Sequence, residues 1–170
     1  DMATFGKVIG AGMPCAAFGG KKEIMQILSP LGAVYQAGTL SGNPVAMAAG
    51  LAQVAKLKSD AGFYARLEAL ASKLTSGLKE IAASYDTSLQ VGCAGSMFGF
   101  FFNEKPVYSF ADALTSDTAF FGKFHGEMLK RGIYLAPSQF EAGFICAVMN
   151  DETVNATLEA AKESFKTLKG

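Results

Sequence analysis

Phe5-Gly6-Lys7-Val8-Ile9-Gly10-Ala11-Gly12-Met13-Pro14 places one lysine among small and apolar residues. A surface lysine commonly keeps polar company, and Lys7 has almost none within this stretch. Burial disfavours the ammonium form, so a lysine in an apolar slot can be a neutral amine near neutral pH. A neutral amine is the species that attacks a carbonyl carbon and forms a Schiff base. The same residues also fit a lysine snorkelling out of a turn at a strand end. The glycines let the chain turn tightly near a ligand or a neighbouring element. They form no nucleotide fingerprint, because neither GxGxxG nor GxxxxGK[ST] is present.

A second stretch bears on that choice: Tyr35-Gln36-Ala37-Gly38-Thr39-Leu40-Ser41-Gly42-Asn43-Pro44. The residues from Val45 to about Lys58 are rich in Ala, Leu and Met and predict a helix. Asn43 is placed to be its N-cap and Pro44 its first residue. The open N–H groups and positive end of such a helix, beside the Thr39 and Ser41 hydroxyls, predict a phosphate cradle. An ordinary capped helix carries the same ingredients.

Composition narrows the function classes. Half of the 170 residues are hydrophobic, and 15 basic residues balance 15 acidic ones. This predicts a well-buried globular protein and gives no charge signature for nucleic acid or an anionic membrane. No apolar run reaches the roughly 20 residues of a membrane span. The start shows no basic region followed by an apolar stretch, so no signal peptide is expected. Cys15, Cys93 and Cys146 are widely spaced, with no CxxC, and His125 is the only histidine. A disulfide framework and a metal site are therefore not expected, and the setting predicted is a reducing cytoplasm.

The remaining elements follow from periodicity. Residues 1–20 predict a glycine turn and a strand over Cys15–Phe18, and residues 21–28 a short amphipathic helix. Leu67, Leu70, Leu74, Leu78 and Ile81 predict a long amphipathic helix over 60–84. Strands are expected at 89–91 and over Met97–Phe102, the latter buried on both faces because its phenylalanines are consecutive. Residues 103–116 predict a loop and 117–131 a helix capped by Asp117. Two strand-like pieces are expected within 133–148, flanking a polar insert with Glu141. That carboxylate is either a site residue of perturbed titration or a solvated loop acid. A closing helix over 150–169 carries Val154, Leu158, Ala161, Phe165 and Leu168 inward.

Taken together, Gly6 to Pro14, Ala17-Phe18-Gly19-Gly20 and Gly38-Thr39-Leu40-Ser41-Gly42-Asn43-Pro44 resemble the class III, fold-type-I pyridoxal-phosphate aminotransferases. Tyr35 to Thr39 and Ala136-Pro137-Ser138-Gln139-Phe140-Glu141-Ala142-Gly143-Phe144 are similar to the glutamate-1-semialdehyde 2,1-aminomutases within that family. The resemblance runs the length of the chain. Ala11, Cys15 and Ala16 stand where Gly, Val and Gly are usual, and residues 147–150 depart from the usual polar strand end.

The resemblance implies an α/β fold, the C-terminal part of a fold-type-I enzyme. Residues 1–58 would be the tail of the large cofactor-binding domain and residues 59–170 a small α+β domain. Lys7 would be the Schiff-base lysine and proton shuttle. Thr39, with the backbone at Gly38, would bind the phosphate of pyridoxal 5'-phosphate across a homodimer interface. Tyr35 and Glu141 would lie near the small-molecule substrate. The implied reaction works through the pyridoxamine 5'-phosphate form and moves an amino group within glutamate 1-semialdehyde to give 5-aminolevulinate, a tetrapyrrole precursor. Another class III ω-aminotransferase remains an alternative, as does a non-catalytic folding or dimerisation module. The chain starts at Asp1 without Met, and the family's ring-nitrogen aspartate, ring-stacking aromatic and phosphate loop are expected upstream of the lysine. Residues 1–58 are accordingly expected to expose apolar surface.

Overall fold

The computed structural model describes residues 1–170, which form two compact units, Asp1–Ala61 and Gly62–Gly170. In the first unit, β1 (Met2–Phe5) pairs antiparallel with β2 (Ala17–Gly20), from Met2 opposite Gly20 to Phe5 opposite Ala17. The strand expected over Cys15–Phe18 therefore lies two residues later. A 3-10 turn, Lys7–Gly10, starts the connection between the strands. The predicted helix over 21–28 is a single turn, α1 (Lys22–Met25). No core lies beneath its Ile24, Ile27 and Leu28 face: Ile27 is exposed and the other two are half-buried. Isolated short helices are marginal without such packing. Residues beyond the turn instead close a loop, with Ser29 N–H donating to Val34 O at 2.8 Å and Val34 N–H to Ile27 O at 2.9 Å.

The predicted helix at the end of this unit is α2 (Pro44–Ser59). Only Gly10, Ala46 and Gly50 are buried in the unit, and Phe5, Val8, Phe18, Leu31, Leu40 and Leu51 are all exposed. The apolar surface expected of residues 1–58 is present. A unit of this size with so little burial has no independent hydrophobic core.

The second unit holds the core. α3 (Phe63–Ser84) starts three residues later than its stripe predicts, with Gly62 as N-cap and no side-chain cap. It precedes an antiparallel sheet of β3 (Leu89–Ala94) and β4 (Met97–Phe102). β3 runs three residues past its expected end because pairing continues to Ala94 opposite Met97. Phe100 and Phe102 project to one face, as side chains two apart on a strand must. They are buried against Phe121, Phe124 and Phe165. Phe165 is fully buried, 4.9 Å from Phe124 ring to ring, and burying such a side chain contributes about 1.5–3 kcal/mol. Phe98 and Phe101 are only half-buried and Met97 is exposed, so β4 is buried on one face and not on both.

The stretch predicted as loop contains a helical turn, α4 (Phe110–Ala113), closed by a capping box. Ser109 Oγ accepts from Asp112 N–H at 3.2 Å, and Asp112 Oδ2 accepts from Ser109 N–H at 2.9 Å. The Ser109 hydroxyl first, and then the Tyr108 N–H, hold the Asp112 carboxyl below its ordinary titration range.

α5 (Thr118–Lys130) begins at Asp117, whose side chain accepts from Phe120 N–H. Its Phe121, Phe124 and Met128 are buried, and Phe120 is half-buried. Of the two strand-like pieces expected within 133–148, only β5 (Gly143–Phe144) forms, pairing with β4 at Met97 and Phe98. The segment 133–136 is held instead by His125, whose Nε2 lies 3.0 Å from Leu135 O. α6 (Asp151–Lys169) is capped by Asn150, whose side chain accepts from Thr153 N–H at 3.0 Å. Arg131 joins α5 to α6 by donating to Glu163 O and Thr167 Oγ1.

Candidate functional site

Lys7 adopts φ +53°, a left-handed backbone that a non-glycine side chain rarely takes. Ala11 follows at φ +49° and Gly12 at +87°, so the turn after the lysine is wound against the ordinary preference. Two close approaches hold it there. A Cβ at Gly10 would stand 2.9 Å from the Cys15 Cβ, and one at Gly50 would stand 2.9 Å from Ile9 O. The 3-10 turn therefore rests directly on α2, where only glycine leaves room. Ala11 N–H to Val8 O and Met13 N–H to Gly10 O complete the turn. The side chain of Lys7 is exposed. The apolar slot expected from its neighbours is absent, because Val8 projects outward as well and no core exists beneath either residue.

The 35–43 segment forms two successive turns, Ser41 N–H to Gly38 O at 2.9 Å and Asn43 N–H to Leu40 O at 3.1 Å. Tyr35, Gly38 and Thr39 are exposed. A groove of this unit is lined by Phe5, Cys15, Phe18, Gln36, Gly38 and Ser41. Gly38 lines it, whereas Lys7, Tyr35 and Thr39 do not.

The phosphate cradle predicted at the start of α2 is not available. Asn43 Oδ1 accepts from both Val45 N–H and Ala46 N–H at 3.1 Å, and Met47 N–H is bound to Asn43 O. Pro44 has no N–H to offer. The helix thus satisfies its own first turn. The N–H groups of Thr39 and Leu40 and the Thr39 hydroxyl make no hydrogen bond within the chain, so the open donors lie in the turn before the helix.

Glu141 belongs to the second unit, in a turn where its N–H donates to Ser138 O at 3.1 Å and Phe140 N–H donates to Ser138 Oγ at 3.2 Å. Its side chain is exposed. The residue of this turn that sequence reasoning passed over is Gln139, which is turned inward and only 3% exposed. Gln139 carried no periodic signal that could have marked it, because residues 136–142 have no regular structure. Asn150, in the segment that departs from the family pattern, serves as the cap of α6.

No helix is long and apolar enough to cross a membrane. The three cysteines are free thiols.

Residues 1–158 match the family model of class-III aminotransferases. Among solved structures, the chain is similar to an omega-transaminase from Sphaerobacter thermophilus, at 29% identity and a TM-score of 0.85, covering 100% of this chain and 39% of that one. It is similar to a β-phenylalanine aminotransferase from Variovorax paradoxus at 26% identity and a TM-score of 0.83, covering 98% and 38%. A glutamate-1-semialdehyde aminomutase from Pseudomonas aeruginosa in complex with PMP shares the fold at 20% identity and a TM-score of 0.83, covering 99% and 39%. The chain thus spans about two fifths of the length of the structures it matches. The α/β fold is that of the fold-type-I, class III enzymes over the full chain. By the match over residues 1–158, the chain belongs to the class-III aminotransferase family.

Proposed function

We propose that the chain is the lysine-bearing part of a pyridoxal-phosphate enzyme, and that the whole protein is a glutamate-1-semialdehyde 2,1-aminomutase forming 5-aminolevulinate. The observation that carries the first part is the left-handed backbone of Lys7, fixed by the packing of its turn on Gly50. Such strain clusters at functional sites, where the surrounding structure holds it. The aminomutase assignment rests on the segment from Ser138 to Gly143 and on Tyr35 to Thr39. In this reading the first unit is the tail of the large cofactor-binding domain and the second is the small domain.

The residues present suit the cofactor in two places. Lys7 offers an exposed amine, and Thr39 offers a hydroxyl and an N–H with no partner in the chain. When bound, pyridoxal phosphate supplies an electron sink for moving an amino group between carbons. Lys7 Nζ would hold the cofactor and carry a proton at the reacting carbon. Thr39 would donate to the phosphate, as its free hydroxyl and backbone allow. The self-capped start of α2 would take no part in that contact. Tyr35 and Glu141 would orient a small-molecule substrate. A homodimer with shared sites is part of this proposal, and the exposed apolar surface of the first unit supports burial against other protein.

A second reading is a class III ω-aminotransferase, favoured by the 29% identity to the Sphaerobacter thermophilus enzyme. One experiment separates the two. The protein that contains this chain is loaded with the pyridoxamine form and given glutamate 1-semialdehyde with no other amine donor or acceptor. Sustained 5-aminolevulinate formation supports the aminomutase. Turnover that needs a separate amine donor and keto acceptor supports the ω-aminotransferase. Lys7→Ala should lower either rate by about 10²–10⁴-fold. An unchanged rate in that variant would remove Lys7 from the site.

A further inference from the structure

The segment from Tyr134 to Ala142, which carries Ser138 and Glu141, belongs to no helix or strand. Just before it, Ile133 N–H donates to Met128 O at 3.0 Å. Just after it, Gly143 pairs with Phe98 and Ile145 N–H donates to Ser96 O. Between these anchors one hydrogen bond ties the segment to another element: Nε2 of His125, on α5, lies 3.0 Å from Leu135 O. Gln139 is buried in the same stretch, yet its amide bonds to nothing, so it adds burial without direction.

A carbonyl oxygen only accepts, so the His125 ring must carry a proton on Nε2. Two aromatic neighbours flank that ring. Its centroid lies 6.2 Å from that of Phe121 and 6.3 Å from that of Tyr134, the latter T-shaped. His125 and Leu135 are both half-buried, so water competes for the bond less than at an open surface. The constraint reaches Glu141 through a stiff piece of chain. Pro137 fixes its own φ and disfavours helical backbone at Ala136. Ser138 follows directly. Its hydroxyl accepts from Phe140 N–H and its carbonyl from Glu141 N–H. A shift at Leu135 therefore carries the Glu141 turn with it.

We propose that His125 is a positioning residue, whose bond to Leu135 O sets where the turn from Ser138 to Glu141 stands and so where the Glu141 carboxylate meets substrate. It acts through Leu135 and not by touching substrate. The proposal rests on the reading of Glu141 as a substrate-side residue.

The test begins with the ring. His125 is the only histidine of this 170-residue chain, so its two ring-nitrogen NMR signals are identified without ambiguity. At a pH where the ring is neutral, the proton is expected on Nε2. A proton on Nδ1 instead overturns the proposal, because the bond to Leu135 O would then have no donor. Kinetics follow in the protein that contains this chain, with glutamate 1-semialdehyde, or with the amine donor and keto acceptor if those prove to be its substrates. His125→Phe keeps a ring beside Phe121 and Tyr134 and removes the donor. It is expected to raise KM about three- to tenfold, the loss of one hydrogen bond, with kcat changed by less than about twofold. His125→Gln restores an N–H near the Nε2 position and should return KM to the unsubstituted value. A merely structural role would lower kcat by depleting folded enzyme and would leave KM in place. Glu141→Gln tests the underlying reading. If it leaves KM unmoved, Glu141 does not meet substrate, and that reading fails together with the proposal. If it raises KM and His125→Phe does not, the positioning role alone fails. Should His125→Phe not fold, His125→Asn, whose shorter side chain stops near the Nδ1 position, carries the same expectation.

Discussion

The carbonyl oxygen of Ile9 lies against Gly50 so closely that a Cβ at residue 50 would stand 2.9 Å from it. The neighbour is backbone, so the contact cannot be relieved by a rotamer change. Gly50→Ala gains about 0.5–1 kcal/mol of helix preference, and overpacking costs about 1–3 kcal/mol. The net effect should loosen the turn that carries Lys7. Hydrogen exchange at Ala11 and Met13, whose amides close that turn, is expected to quicken by roughly threefold to thirtyfold. Gly122→Ala in α5 meets nothing within 4 Å and should instead stabilise by about 0.5–1 kcal/mol. If the two variants behave alike, the packing of Ile9 on Gly50 does not hold the lysine turn.

Asn43 occupies both N–H groups that a phosphate would need at the start of α2. Asn43→Ala should cost about 1 kcal/mol and raise amide exchange at Val45 and Ala46. Inorganic phosphate added to the unsubstituted chain should leave those two amide signals in place. Phosphate-induced shifts there would show that the cap yields to an anion, and would return the cradle to the helix.

Asp112 titrates below the ordinary carboxylate range because Ser109 and the Tyr108 N–H bind its charged form. A depressed folded value means that its contribution to α4 is complete above the unfolded value, about 3.9, and is lost as pH falls through the folded one. An NMR pH titration should find a low midpoint for Asp112, with α4 loosening as it protonates. Ser109→Ala should move the midpoint up toward the ordinary range. A midpoint unchanged by that substitution would mean that the capping box does not set the titration.

Much of the fold was legible because its signals are local. Composition marks α2, stripes at spacings of three and four mark α5 and α6, and Asn43, Asp117 and Asn150 bound them, each helix being placed to within a residue or so at each end. Ser109 and Asp112 stand three apart, the spacing of a capping box, but a helix of four residues leaves no periodic stripe, so the stretch reads as loop. The piece at 133–136 reads as a strand by composition and is not one. It bonds to His125 rather than to a sheet edge, and which edge is open depends on distant residues.

The amino-acid sequence by itself determined the long helices α2, α3, α5 and α6, the aromatic strand and the membership in a class III aminotransferase family, because periodicity, caps and motif spacing act over a few residues. Tertiary structure alone decided three matters. Lys7 is exposed rather than enclosed, since apolar neighbours in sequence bury nothing without a core beneath them. The open donors lie at Thr39 and Leu40 rather than at α2, since a cap's own geometry settles which N–H groups it takes. Gln139 faces inward with its amide unpaired, since burial is set by what packs around a residue and not by the residue's own polarity.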